Sequence, residues 1–245
     1  MAPLVVLPTY QEAENIEEVL GRIRAAMPEA SVLVVDDGSP DGTADLAEKA
    51  AIDLGGRIEV LRRSGKAGLG PAYRAGFAWG LERGHDVLVE MDADLQHDPA
   101  VLPLLISAVG ADRHDLAIGS RYVPGGGVPG WPWSRRFISK WGNRYVGVML
   151  RLPVRDATAG YRAYRAEILR EIGVDQVRAD GYGFQIEMAY QVARAGGSII
   201  EIPITFRDRE RGVSKMSPDI LSEAFHLVTR WGVRDRVARL RRRSG

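Results

Sequence analysis

Residues 4–39 read LVVLPTYQEAENIEEVLGRIRAAMPEASVLVVDDGS, and this stretch decides the fold. Leu4–Leu7 is a short apolar run stopped by Pro8. Apolar residues then recur at Ile16, Val19, Leu20, Ile23 and Met27, the spacing of one helix face. Ser31–Val35 is a second apolar run, ending in Asp36-Asp37-Gly38-Ser39. Two short apolar runs around an amphipathic helix make a β-α-β unit with parallel strands covered on both faces. The alternation continues outward. Thr43–Leu54 predicts a helix with Thr43 as its N-cap, Ile58–Leu61 a strand, Gly70–Arg83 a helix and Val87–Met91 a strand. Pro99–Val109 predicts a helix capped by Asp98, and Leu116–Ser120 a strand. This order specifies an α/β protein with a mostly parallel central sheet and helices on both faces. Such sheets bind ligands beyond the carboxyl ends of their strands, so the residues just past each strand are the candidate site.

The second half reads differently. Val123–Trp133 (VPGGGVPGWPW) is a loop by its glycine and proline content. Arg135–Leu152 predicts a helix with Phe137, Ile138, Trp141, Tyr145 and Met149 apolar. Gly181–Ala195 predicts a helix, Ser198–Ile204 a strand, and Asp219–Trp231 a last amphipathic helix. The chain thus divides into an α/β domain over 1–218, including the amphipathic helix 135–152, and a C-terminal helix with a basic tail over 219–245.

Composition narrows the function. The chain has 245 residues, 45% hydrophobic and 27% charged, enough to bury a core without staples. It contains no cysteine, which excludes disulfide frameworks, zinc fingers, iron–sulfur clusters and cysteine nucleophiles. Its four histidines show no zinc-pair spacing. The net charge of +1 hides an asymmetry: Arg230–Gly245 holds seven arginines and one aspartate, so the tail carries +6 and the rest −5. A basic tail on an acidic body suggests a polyanion at that end. No segment reaches the ~18 apolar residues of a spanning helix, and the N-terminus lacks the features of a signal peptide. A soluble or peripheral protein is expected.

The strand ends carry chemistry. Pro8, Tyr10 and Glu12 stand at and past the first strand, where neither the GxGxxG nor the GxxxxGK phosphate motif is found. GxSxG is absent too. Asp36-Asp37-Gly38-Ser39 reads either as an Asx turn or as a carboxylate for a nucleotide base or ribose. Asp92-Ala93-Asp94-Leu95-Gln96 follows the fourth strand. Two carboxylates two residues apart share a side in extended chain, and with an amide oxygen they suit a hard divalent cation. A D-x-D pair arises by chance about once in a chain this size, but its place at the end of an apolar strand favours a ligand site. Lys66 lies in the glycine-spaced loop Gly65–Gly70, which reads either as a flexible surface loop or as a lysine brought to phosphate. Arg121 follows the fifth strand, and Arg135, Arg136 and Ser139 open the amphipathic helix. Arg207, Arg209, Arg211, Ser214 and Lys215 cluster around Gly212. Several basic clusters together suit a substrate with several phosphates.

In order, PTYQEAENI, VVDDGSPDGT, GKAGLGPAYRAG, MDADLQHDP, GSRYVPGG and FRDRERGVSK resemble the inverting GT-A glycosyltransferases, and more narrowly the polyprenol-phosphate (dolichol-phosphate) mannose synthases. The resemblance spans about Leu4 to Lys215. It implies a nucleotide-sugar site lined by Pro8, Tyr10, Glu12, Asp37, Lys66, Asp92, Ala93, Asp94, Arg209 and Lys215, with Asp37 reading the base. It implies Mg²⁺ or Mn²⁺ on Asp92, Asp94 and Gln96, and lipid phosphate held by Arg121, Arg135 and Ser139. Asp94, Arg209 and Lys215 would be the catalytic residues, the last two closing over the phosphates from a loop. The implied reaction takes GDP-mannose and polyprenyl phosphate to polyprenyl phosphate mannose and GDP, with inversion. An acceptor phosphate is already anionic near neutral pH, its second pKa being about 6, so no general base is assigned.

Many relatives carry spanning helices after the catalytic domain, and here that extension is missing. The helix Arg135–Leu152, with Phe137, Trp141 and Tyr145, and the region Asp219–Leu240, with Trp231, are therefore expected to lie on an anionic membrane at its cytoplasmic face. A separate membrane-anchoring protein is a further expected partner. The alternatives are a UDP-glucose or other GT-A enzyme and a non-catalytic nucleotide-binding protein. Nucleic acid is not an expected partner, because no basic stripe is interleaved with aromatics.

Overall fold

The computed structural model describes residues 2–55, 57–110, 114–207 and 218–243. The strands are β1 Pro3–Thr9, β2 Ser31–Asp36, β3 Ile58–Arg62, β4 Val87–Glu90, β5 Leu116–Ser120, β6 Arg162–Arg165 and β7 Ile199–Pro203. The helices are α1 Ile16–Ala26, α2 Thr43–Asp53, α3 Leu69–Glu82, α4 Leu102–Val109, α5 Trp133–Leu150, α6 Ala166–Glu171, α7 Gly181–Arg194 and α8 Pro218–Arg243. The seven strands form one sheet in the order β3-β2-β1-β4-β6-β5-β7. All neighbours are parallel except those of β6, which runs antiparallel to both β4 and β5.

The hydrophobic runs explain the layers. β1 and β2 are apolar without alternation because successive side chains go to opposite, equally buried faces. Leu4, Val6, Leu33, Val35 and Leu88 enter one core with α3 and α7. Val5, Leu7, Val32, Val34, Val87 and Val89 enter the other with α1 and α4. α3 approaches the sheet closely through glycine: a Cβ at Gly76 would stand 2.4 Å from Val6 Cγ1, and one at Gly80 2.6 Å from Leu4 Cδ2.

β6 is absent from the sequence reading. Its four residues, RAYR, carry two arginines, and Arg162 is nevertheless fully buried. The sheet is therefore mixed, with β4 and β5 separated by one reversed strand. The N-cap of α2 is Gly42, at φ +83°, rather than Thr43. The Thr43 hydroxyl accepts instead from the Glu12 backbone N–H at 3.0 Å, tying the loop after β1 to the loop after β2. Asp98 caps as read, accepting from the Ala100 N–H at 3.0 Å at the 3-10 turn that precedes α4. α8 packs on α5 and α7: Tyr145 stacks on Phe225 at 4.6 Å, and Tyr190 stacks on Trp231 at 5.7 Å. Among the described residues no helix is long and apolar enough to cross a membrane.

Candidate active site

Registry gathers the strand ends on one edge. Thr9 of β1 pairs with Asp36 of β2, which sets Tyr10 beside Asp37. Asp36 is structural: it accepts from the Thr9 hydroxyl at 2.9 Å, and from the Ser39 N–H and hydroxyl at 2.9 and 2.6 Å. The Asx-turn reading is therefore right for Asp36. Asp37 looks the other way, accepting from Arg63 Nη1 at 2.6 Å and the Ala67 N–H at 3.0 Å. Gly38, at φ +70°, lets this turn touch the Lys66 loop; a Cβ there would lie 3.2 Å from Gly65 Cα. The Lys66 ammonium sits 4.6 Å above the Tyr10 ring. Pro8 is half-buried one residue before the end of β1, and the Glu12 carboxylate accepts from Asn15 Nδ2 at 2.9 Å. Tyr10, Asp37 and Lys66 thus gather at one place along the strand-end edge, with Arg63 added. Arg63 stands just past β3, so the same strand-end rule applied there would have found it.

The turn after β4 comes next along that edge. Asp92 Oδ1 accepts from the Tyr73 hydroxyl of α3 at 3.2 Å, and its backbone N–H points at His97 Nδ1 at 3.3 Å. Asp94 Oδ1 accepts from the Gln96 N–H at 3.2 Å, while Gln96 Nε2 donates to the Arg207 carbonyl at 2.9 Å. Leu95 takes φ +62°, so the segment curls into a turn rather than continuing extended. His97 lies buried, stacked on Tyr161 and meeting Phe206 edge-on, and burial pulls its pKa down to about 4. It is therefore neutral at physiological pH, and its Nδ1 can accept the Asp92 N–H. The donors on this turn are two carboxylates and an amide, hard oxygen ligands of the kind that fit Mg²⁺ or Mn²⁺. Among the described residues no three His, Asp or Glu side chains converge as a metal cage. An ion here would complete its shell with substrate oxygens and water, as Mg²⁺ commonly does.

Beneath the turn lies a polar layer that the sequence reading missed. Arg162 donates to the carbonyls of Ala157, Ala159 and Gln185 at 2.7, 2.7 and 2.6 Å. This pins the 157–160 loop against Asp92; a Cβ at Gly160 would lie 3.6 Å from Asp92 Oδ2. Glu90 is fully buried beside it, with the Gln185 and Tyr164 side chains near its carboxylate but outside good hydrogen-bond geometry. Desolvation raises its pKa to about 7 against the opposing pull of Arg162. Asp180 bridges two helix starts, accepting from Gly70 N–H of α3 at 2.7 Å and Gly181 N–H of α7 at 2.8 Å.

The third corner follows β5. Arg121 forms a buried fork with Asp156, through Nε at 2.7 Å and Nη2 at 2.6 Å, and also reaches the Thr158 hydroxyl at 2.8 Å. Its charge is therefore largely offset, and the pairing holds its pKa above the ordinary arginine value despite burial. The Arg135 guanidinium stacks 3.7 Å over Trp131. The Tyr122 hydroxyl donates to Ser139 Oγ at 2.6 Å, leaving the Ser139 proton to point elsewhere. Arg121 lies 5.7 Å from the Trp131 ring and 5.5 Å from Phe206, so the aromatic pair joins this corner to the 204–207 segment. That segment bridges to the glycine loop at Gly127–Thr205 and ends at Arg207 beside Gln96. Arg209 and Lys215, with Gly212 and Ser214, lie outside the described residues.

A mostly parallel sheet with a carboxylate turn, a second carboxylate and a lysine loop beyond its strand ends is the architecture of the GT-A glycosyltransferases. Solved neighbours agree in fold. Glucosyl-3-phosphoglycerate synthase from Mycobacterium tuberculosis, in complex with Mn²⁺, uridine diphosphate and phosphoglyceric acid, superposes at TM-score 0.66 with 21% identity, covering 93% of this chain and 77% of that one. The Glycosyl transferase family 2 profile matches residues 4–173. The chain belongs to that family. It is 54% identical over 246 residues to an undecaprenyl-phosphate mannosyltransferase of Micrococcus luteus, covering 100% of both chains. It is 52% identical to a polyprenol monophosphomannose synthase of Mycolicibacterium smegmatis, over 97% of this chain and 89% of that protein. It is 39% identical to a dolichol-phosphate mannosyltransferase of Pyrococcus furiosus, over 92% of this chain and 62% of that protein.

Proposed function

We propose that this protein transfers mannose from GDP-mannose to a polyprenyl phosphate, with inversion, while resting on a membrane. The observation that carries the reading is the adjacency along one sheet edge. The Asp92–Gln96 turn stands between the Tyr10, Asp37 and Lys66 group and the Arg121, Trp131 and Arg135 corner. The likeness to three mannose-transferring relatives supports the sugar and the lipid.

The donor would lie with its base toward Asp37 and Arg63 and its diphosphate toward Lys66 and Asp94. Arg209 and Lys215 would close over the phosphates. A divalent cation on Asp92, Asp94 and Gln96 would offset charge on the leaving diphosphate. At the far corner Arg135 supplies the cation and Ser139 the hydroxyl proton for the acceptor phosphate. Arg121, already paired with Asp156, shapes that corner more than it charges it. An acceptor phosphate oxygen would form the new bond to the sugar C1 from the face opposite the diphosphate. The C1–O bond breaks with its electron pair leaving on GDP. No proton need be removed, so catalysis is positioning plus electrostatic stabilisation.

α5 suits the membrane role. Trp133, Phe137, Ile138 and Trp141 are exposed along it, and aromatic side chains favour the interface. The test supplies radiolabelled GDP-mannose and UDP-glucose in parallel, with a short polyprenyl phosphate and Mn²⁺, and counts label in the organic phase. Label from GDP-mannose is expected, falling at least about 100-fold in Asp94→Ala, the scale of losing an electrostatic group in the transition state. Label from UDP-glucose alone would overturn the donor, and none from either would overturn the lipid acceptor.

A further inference from the structure

Behind the acceptor corner, between the loop after β5 and the first turns of α5, a cleft of about 300 Å³ opens to solvent. Tyr122, Gly126 and Val128 line it beside Arg121, whose charge Asp156 already offsets, and Arg136, Lys140 and Arg155 bring three further cations to it. Among the described residues none of these three side chains is in a salt bridge. The nearby carboxylates are engaged elsewhere. Asp156 is consumed by Arg121, and Glu201 accepts the backbone N–H groups of Arg155 and Asp156 at 2.9 and 3.0 Å. Three like charges around one small cleft repel one another, and an anion between them relieves that repulsion. An arginine fork and a lysine ammonium are donors matched to phosphate oxygens.

The position selects the source of that phosphate. Arg136 and Lys140 are four residues apart and share a face of α5. They flank the exposed stripe Trp133, Phe137 and Trp141, itself spaced by four, on the same helix. A phosphate in the cleft therefore has apolar side chains beside it, where acyl chains would run.

We propose that this cleft binds the phosphate of an anionic membrane phospholipid, at a site adjoining the Arg135 and Ser139 corner, with Arg121 and Tyr122 standing between the two. It rests on the membrane reading above and adds to it. The apolar stripe gives adhesion to any bilayer, whereas the cleft selects anionic lipid and fixes the rotation of α5 on the surface.

Sedimentation with vesicles of phosphatidylcholine alone, and with phosphatidylglycerol added, separates the two. Four proteins are compared, each checked for an unchanged melting temperature. They are the parent, a cleft variant (Arg136→Gln, Lys140→Gln, Arg155→Gln), a stripe variant (Trp133→Ser, Phe137→Ser) and a tail variant (Arg241→Gln, Arg242→Gln, Arg243→Gln). The cleft variant is expected to lose about tenfold in partition to phosphatidylglycerol vesicles, to bind phosphatidylcholine like the parent, and to keep its activity on detergent-dispersed acceptor. The stripe variant is expected to lose both vesicle types. Parental binding of phosphatidylglycerol by the cleft variant overturns the proposal. So does a loss no larger than that of the tail variant, which removes the same charge elsewhere. Binding of free glycerol phosphate by the parent without vesicles, lost in the cleft variant, would assign a soluble ligand instead. A parent that binds neither vesicle sinks the membrane reading and the proposal with it.

Discussion

Asp156 is wholly buried, and its carboxylate takes three bonds from Arg121, two from the guanidinium and one from the backbone N–H at 2.9 Å. Asp156→Asn would leave the Arg121 charge buried without its counter-ion, a loss of about 3–5 kcal/mol, read as a fall in the urea midpoint. Glu90 behaves in the opposite sense, because its charge is the unwelcome state. It binds its proton more tightly folded, at about 7, than at the ordinary value of 4.5. Its stabilising contribution is full below pH 4.5 and is lost as pH rises through about 7. Glu90→Gln carries no such loss. The melting temperature of the variant should gain on the parent between those values and hold its lead above them, by up to about 3 kcal/mol in stability. His97 titrates the other way in part of the same window, and comparing variant with parent cancels it. Asp92 and Asp94 were legible because carboxylates at a strand end are out of place in a core. Asp156 and Arg162 were not, since each looks like a surface residue until its partner is known.

At the scale of elements, helix packing turns one substitution into two results. Gly76 of α3 faces β1, where an added methyl would stand 2.4 Å from Val6 Cγ1. Gly76→Ala should cost about 1–3 kcal/mol by overpacking. Gly21 of α1 has nothing within 4 Å of an added Cβ. Gly21→Ala should stabilise by about 0.5–1 kcal/mol through helix propensity. Denaturant midpoints of the two variants would move in opposite directions. The long amphipathic and apolar elements were readable from periodicity. β6 was not: four residues with two arginines carry no strand pattern, and its place between β4 and β5 comes from pairing on both sides.

Over the whole molecule the charges are divided, with +6 in the last sixteen residues against −5 in the rest. α8 is held to α7 by Asp235, which accepts from the Tyr190 hydroxyl at 2.6 Å and from Arg194 at 3.1 Å. Removing residues 239–245 keeps that contact, whereas a cut at Arg234 would break it. The shorter deletion should leave the melting temperature unchanged and weaken binding to anionic vesicles, most at low ionic strength, because exposed charges are screened by salt. Sedimentation at two salt concentrations checks it.

The sequence by itself determined the α/β class and the placing of Asp92 and Asp94 directly after an apolar strand, where the proposed site lies. Those are local facts: hydrophobic period sets the elements, and a charge directly after an apolar strand must find a partner, whether ligand, water or another side chain. Only the tertiary structure decided which charges are spoken for. Arg63 on Asp37, Asp156 on Arg121, and Arg162 on the Gln185 carbonyl join residues 26, 35 and 23 positions apart. Whether a cation is neutralised or left open to an anion depends on what the folded chain sets within about 4 Å of it, and no spacing along the chain records that.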